Sequence, residues 1–199
     1  YFYKNLKKNA KTISSKTGKL PVVKYISVKN IKKKRNVKIP KSKLIKNPID
    51  LVYKKDVDII VELVGGSEGI AKKIVSLALK NKKHVITANK SLISKYGDQL
   101  AFIAEKNRVN LEFEASVAGG VPIIRSIKDS LIANKIYRIY GILNGTTNYI
   151  LSTMEKTGKS FSEAVNQAKK LGFAESNPVA DINGADAAAK IRILSSISF

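Results

Sequence analysis

Asp58-Ile-Ile-Val-Glu-Leu-Val64, followed at once by Gly65-Gly66, is the stretch that most restricts the fold of this chain. It is a short apolar run closed by residues that accept a left-handed turn, the pattern of a strand buried on both faces. Ile70, Ala71, Ile74, Leu77 and Ala78 then recur at helical spacing within Ser67 to Lys82. His84-Val-Ile-Thr-Ala88 is a second short apolar run, closed by Asn89-Lys90. Strand, glycine turn, helix and strand make a βαβ unit, whose strands run parallel with the helix crossing one face.

The pattern repeats, with a helix expected from about Ser94 to Lys106 and a strand from Val109 to Ala115. Successive units of this kind build a doubly wound parallel α/β sheet, in which ligands sit at the carboxyl ends of the strands. Gly65-Gly66, Asn89-Lys90 and the turn from Ser116 to Gly120 then fall on one rim. Ahead of this core the pattern predicts a helix over 1–17 stopped by Gly18, a strand from Leu20 to Val28, and an irregular basic stretch from Ile31 to Pro48. After Pro122 the rhythm changes. Helices are expected over Ile123–Ile132, Thr147–Lys156 and Ser160–Leu171, with a capping box at Ser160 and Glu163. Tyr137 to Leu143 alternates as a strand, and a last helix begins near Asn183 and continues to the chain end. The division expected is a partial Rossmann-like domain over 1–121 and the start of an α+β domain over 122–199.

Charge invites a different class of function. The chain carries 37 Lys and Arg against 15 Asp and Glu, a net charge of +22. A basic nucleic-acid-binding module using residues 1–57 is therefore one reading, since 18 of the basic residues fall there against Asp50 and Asp56 alone. The residue types argue against it. Arg occurs only at 35, 108, 125, 138 and 192, and Arg is the side chain that grips phosphates and guanines bidentately. No apolar run approaches the ~20 residues of a membrane span, and there is no Cys. A cytoplasmic enzyme acting on a small molecule is the expectation, with no membrane and no nucleic acid as partner.

The chemistry concentrates near the end. In Asp181-Ile-Asn-Gly-Ala-Asp186-Ala-Ala-Ala-Lys190, Asp186 and Lys190 are four apart and share one face if the segment is helical. The alanines keep that face slim, so a substrate can approach the lysine. Taken alone the pair reads as an ordinary helix ion pair; in a confined site it would hold a polar substrate and move a proton.

Five segments together resemble homoserine dehydrogenases: Val61-Glu-Leu-Val-Gly-Gly66, Thr87-Ala-Asn-Lys90, Glu114-Ala-Ser-Val-Ala-Gly-Gly-Val-Pro122, Gly141-Ile-Leu-Asn-Gly-Thr-Thr-Asn-Tyr149, and Glu175 with Asp181, Asp186 and Lys190. Each is weak alone; their shared order and spacing over nearly the whole chain is specific. The resemblance implies NAD(P)-dependent reduction of L-aspartate 4-semialdehyde to L-homoserine, on the route to threonine and methionine. It implies Lys190 as proton donor, Lys90 as a second lysine near cofactor and substrate, and Asp186 orienting Lys190 or touching substrate. Glu175 would hold the substrate ammonium, with Asp181 in support and Thr146 offering a hydroxyl. Gly65 and Gly172, with Lys90 and Glu175, would meet the cofactor. Glu114, Val117, Gly119 and Val121 would form a monovalent-cation site, for which the resemblance says sodium. It also implies a homodimer. Another semialdehyde or amino-acid dehydrogenase of similar architecture is the nearest alternative among enzymes. His84, the single histidine, reads as structural.

One expected part is not in the sequence. A dinucleotide-binding half opens with a strand, G-x-G-x-x-G and a helix, then an acidic residue ~20 positions on. No such loop precedes Tyr1-Phe-Tyr-Lys-Asn-Leu-Lys-Lys, which resembles the helix that follows it. The expectation is a fragment that begins just past the pyrophosphate loop, ends within the catalytic domain, and does not turn over alone. Lys29-Asn30 stand where the ribose-binding acid would fall, which favours NADP over NAD.

Overall fold

The computed structural model describes residues 1–199. Three parallel strands lie at its centre in sequence order: β3 (Ile59–Glu62), β4 (His84–Thr87) and β5 (Leu111–Glu112). Ile60 pairs with Val85, and Val85 with Leu111, so the buried positions of the three strands lie side by side. Helix α2 (Ile70–Lys80) connects β3 to β4, and α3 (Lys90–Asn107) connects β4 to β5. The two helices pack on each other. Ala71, Ile74, Val75, Ala78 and Leu79 of α2 are buried, one stripe facing the sheet. This is the βαβ core expected from the sequence.

Several boundaries differ, each for a local reason. Helix α3 begins at Lys90 rather than near Ser94, because the Asn89 side chain accepts from the Leu92 amide and caps it. The expected strand over Leu20–Val28 contracts to β1 (Ile26–Ser27), paired with β2 (Leu44–Ile45), which lies inside the stretch expected to be irregular. Pro21 offers no amide to a ladder, and the available partner is two residues long. Strand β5 is cut short by a 3-10 turn at Glu114–Ser116. Tyr137 to Leu143 forms no strand, since no neighbour in the chain offers it a ladder.

Helix α1 (Phe2–Thr17) ends at Gly18, as expected, with φ 71°. None of its residues is buried, and it borders a hollow of about 730 Å³ with Leu20–Val23 and Ile39. Beyond Pro122, α4 (Ile123–Arg125) continues as a π turn over Ser126–Ser130. Then follow α5 (Gly145–Thr157), α6 (Phe161–Lys170), the short α7 (Val179–Ile182) and α8 (Ala185–Ser196). The Ser160–Glu163 capping box is formed in both directions. The last helix, expected from near Asn183 to the chain end, begins at Ala185 after Gly184 (φ 79°) and closes at Ser196.

The main core runs across the 121/122 boundary. Ile124, Ile127, Ile193 and Leu194 join Val75, Leu79, Leu92 and Leu100 in one cluster. A second cluster, Ile150, Ala164, Val165, Ala168 and Ala174, holds α5 against α6. Helix α8 packs along α3, and that contact sets the site described below.

Leu79→Ala should lower unfolding free energy by about 2–5 kcal/mol, because its fully buried side chain leaves a cavity the sheet cannot close. Phe102→Ala, on the exposed face of α3, should stay within ~0.5 kcal/mol in the same urea titrations.

Candidate active site

The site forms where the first turns of α3 and α8 meet. Lys90 is the first residue of α3, and Asp186 lies in the first turn of α8, 96 positions away. Asp186 Oδ1 accepts from the Lys90 ammonium. Its Oδ2 pairs with Lys190 Nζ at 2.7 Å, four residues on along the same helix face. The helix amides exposed at this end also favour a carboxylate there.

A third donor reaches the same carboxylate. Asn144 Nδ2 donates to Asp186 Oδ2 (2.9 Å) and to Asp181 Oδ1 (2.7 Å), spending one N–H on each aspartate. The other end of that side chain, Oδ1, accepts from the Thr147 amide at 2.8 Å and so caps α5. Lys190 Nζ donates also to the Leu143 carbonyl (2.6 Å), the residue just before Asn144. Residues 143–147 thus fix Lys190, Asp186 and Asp181 from one side, while α3 fixes Asp186 from the other.

Asp186 is only 11% exposed. Burial pushes its carboxyl upward, but the hydrogen bonds from Lys190, Lys90 and Asn144 outweigh that and hold it at about 2, against an ordinary 3.8. It stays a charged acceptor through the physiological range.

A cleft of about 720 Å³ opens beside these groups. Lys190, Asp186, Asp181 and Asn144 line it, as do Thr146 and Gly172. The Tyr149 and Phe173 rings, stacked at 4.4 Å, form an apolar wall. The Thr146 hydroxyl donates to the Phe173 carbonyl at 2.8 Å and so ties α5 to the loop after α6. Gly172 adopts φ 77°, a conformation that leaves its backbone bare on the cleft side.

The other expected residues fall nearby or apart. Lys90 lies behind Asp186 and does not line the cleft. Glu175 is exposed on the loop after α6 and makes no hydrogen bond within the chain. Gly65 (φ 84°) and Gly66 (φ 78°) turn the chain at the carboxyl end of β3, open to solvent. Glu114 lies away from the cleft and accepts from the amides of Ile124 and Arg125, capping α4. Val117, Gly119 and Val121 follow it on a turn closed by the Val121 amide bonding to Ala118. His84 Nδ1 accepts from the Asn110 amide at 3.0 Å, a sheet contact, as expected.

Asn144 is the residue that sequence reasoning passed over. Its signal was present: Asn before Gly-Thr-Thr and an apolar run is a helix N-cap. That the same amide would hold two aspartates from residues 181 and 186 has no local signature.

A parallel sheet with a glycine turn on its carboxyl rim, joined to a helical unit through a Lys–Asp–Lys cluster that both supply, defines a Rossmann-like α/β protein of the dehydrogenase type. Comparison with known proteins narrows the class. Residues 2–114 match the family model described as the homoserine dehydrogenase NAD-binding domain, and residues 122–199 match the homoserine dehydrogenase model. The chain belongs to the homoserine dehydrogenase family. A homoserine dehydrogenase of Neisseria gonorrhoeae is 44% identical over 194 residues, covering 98% of this chain and 44% of that protein. One from Bacillus subtilis is 43% identical over 177 residues, covering 89% and 41%. The crystal structure of a homoserine dehydrogenase from Thiobacillus denitrificans superposes with a TM-score of 0.86 at 41% identity, over 99% of this chain and 45% of that one. A hyperthermophilic archaeal homoserine dehydrogenase in complex with NADPH gives 0.71 at 32%, over 96% and 54%. The chain therefore spans less than half the length of the curated relatives it matches.

The depressed Asp186 carboxyl has a measurable consequence. Its contribution is full above pH 3.8 and is lost as pH falls toward about 2, since the unfolded chain takes up the proton first. It amounts to roughly 2 kcal/mol. Asp186→Asn should remove that part of the acid dependence, so urea titrations at pH 6 and pH 2 should differ less for the variant than for the parent.

Proposed function

We propose that the full protein reduces L-aspartate 4-semialdehyde to L-homoserine with a nicotinamide dinucleotide, as a cytoplasmic step toward threonine and methionine. The observation that carries this reading is the Asp186 carboxylate held between Lys90 on the nucleotide half and Lys190 on the cleft. Within this reading the chain divides at 121/122 into nucleotide-binding and catalytic parts.

The cofactor, when bound, supplies hydride to the aldehyde carbon. As that carbon gains hydride, the carbonyl oxygen takes on alkoxide charge and needs a proton. An ammonium has three N–H donors. Lys190 spends two, on Asp186 and the Leu143 carbonyl, which leaves one to aim at that oxygen from the cleft wall. Lys90 holds Asp186 in place from the opposite side and adds positive charge to the site. Glu175, free of partners within the chain, is suited to the substrate ammonium, with Asp181 in support. Thr146 spends its hydroxyl proton on the Phe173 carbonyl, so toward substrate it is suited to accept rather than donate.

The residues fit a dinucleotide. Gly65 and Gly172 each expose backbone where a side chain would intrude, and Lys90 begins its helix on the same rim as Gly65. Lys29, Lys32, Lys33 and Lys34 follow β1, with no acid among them, which favours the 2′-phosphate of NADP over the bare ribose of NAD. Arg35 turns back onto the carbonyls of Asn30 and Lys33 and braces this loop. A sodium ion at Glu114, Val117, Gly119 and Val121 is supported by a carboxylate and an irregular turn on one segment, where the carbonyls of Val117 and Gly119 accept no backbone amide. A homodimer is supported by Tyr137, Tyr140 and Ile142, largely exposed along an extended segment without a partner strand.

In the full-length protein, Lys190→Ala should cut NADPH oxidation with aspartate semialdehyde by a factor of about 100 or more, with folding intact and NADPH affinity kept. Turnover within threefold of the parent would remove Lys190 from the role. Replacing Lys32, Lys33 and Lys34 together by Ala should raise the KM for NADPH at least tenfold and leave that for NADH unchanged, by about 1.4 kcal/mol of lost phosphate contact.

A further inference from the structure

Glu62 is a carboxylate buried without a cation. It closes β3 and is 2% exposed, yet no lysine, arginine or histidine pairs with it. An acidic side chain so placed needs donors in place of water. Three are present. Oε1 accepts from the amides of Val64 (2.6 Å) and Gly65 (3.0 Å), and Oε2 accepts from the Thr87 hydroxyl at 2.6 Å. Glu62 and Thr87 are register partners on β3 and β4, so the sheet itself sets this contact.

The bonds continue outward from there. The Thr87 oxygen accepts from the Asn89 amide at 3.0 Å. Asn89 Nδ2 donates to the Gly66 carbonyl at 2.7 Å, while its Oδ1 caps α3 through the Leu92 amide. The next residue is Lys90, whose ammonium meets Asp186. Val64 and Gly65 are held from below, and Gly66 from the side, although both glycines adopt positive φ and nothing packs on them. A turn of that kind is free to move unless its amides are tied.

We propose that Glu62 is a positioning residue: its carboxylate fixes the Gly65–Gly66 turn against which the nicotinamide dinucleotide lies and, through Thr87 and Asn89, the first turn of α3 that presents Lys90 to Asp186. The proposal rests on the dehydrogenase reading above. An amide cannot replace the acid. A glutamine keeps one oxygen for the two turn amides but offers an NH₂ to Thr87, whose oxygen then accepts twice while its own proton has no partner. Thr87→Val separates the two branches, because it leaves the turn amides on Glu62 and cuts the link to Asn89.

The test uses the full-length protein, with NADPH binding followed by its fluorescence beside steady-state turnover. Glu62→Met, which removes both acceptor oxygens at similar side-chain length, should weaken NADPH about tenfold in Kd and in KM while the KM for the semialdehyde stays within twofold. Thr87→Val should lower kcat about tenfold with NADPH Kd near the parent's, as expected when Lys90 loses its setting. Unchanged NADPH affinity in Glu62→Met overturns the proposal, as does an equal rise in both KM values, which reports a loosened fold. Should Glu62→Met not fold, Thr87→Val decides alone: reduced kcat at parental melting temperature supports the proposal, and parental kcat overturns it. A wrong substrate assignment would silence turnover in the parent itself and leave the binding measurement intact.

Discussion

Everything at the site depends on the Asp186 carboxylate accepting from two ammoniums that arrive from different halves of the chain. Lys90 comes from the parallel-sheet unit and Lys190 from the final helix. The roughly 2 kcal/mol separates the ionised from the protonated carboxylate; the bridge as a whole adds much less, because taking three charges from water costs nearly what their attraction returns. Its effect is on geometry. With Lys90 fixed by the cap on α3 and Lys190 by the Leu143 carbonyl, the carboxylate has one position that satisfies both. The packing of α8 on α3 and the charge bridge therefore specify each other. Ile193 and Leu194, on the following turn of α8, enter the main core alongside Leu92 of α3 and keep the two helices together without help from the charges.

The sequence showed most where structure is local and least where it is shared. The β3–α2–β4 unit was readable because both periods, the apolar run and the 3.6-residue stripe, are set by burial on one sheet. The strand expected at Tyr137–Leu143 had the right alternation and no partner, and alternation without a ladder makes no strand. Strand β2 was hidden for the opposite reason: Leu44-Ile45 sit among lysines, and only the pairing with Ile26-Ser27 reveals them. At the site, Asp186 and Lys190 were legible from spacing as a pair, and Lys90 from its place at a strand's carboxyl end, but family resemblance was needed to join them. Asn144 and Glu62 were in plain view, one in a turn and one in an apolar run. What each does depends on residues 37 and 25 positions away.

The two buried polar side chains that organise the site use complementary chemistry. Asn144 is a neutral amide serving two carboxylates, and Glu62 is a carboxylate serving neutral donors. Each is paired with the groups it can satisfy fully. An aspartate at 144 would face Asp181 and Asp186 with like charge, and a glutamine at 62 would strand a hydroxyl proton. Such fully satisfied buried groups are costly to rearrange, which gives a glycine turn and a cleft wall the rigidity that their own backbones lack.

The charge balance of the cleft bears on what it receives. In a chain of net charge +22, a pocket lined at random would be strongly basic. Here Lys190 lines the cleft beside Asp181 and Asp186, with Lys90 behind Asp186, so these four charges cancel. Glu175, on the loop after α6, is exposed and without a partner. Under the proposed function, the substrate ammonium would answer that carboxylate, and the aldehyde oxygen the remaining proton of Lys190. A simple anion would find no net positive site in this cleft despite the basic composition around it. Local pairing, rather than overall charge, sets the class of ligand.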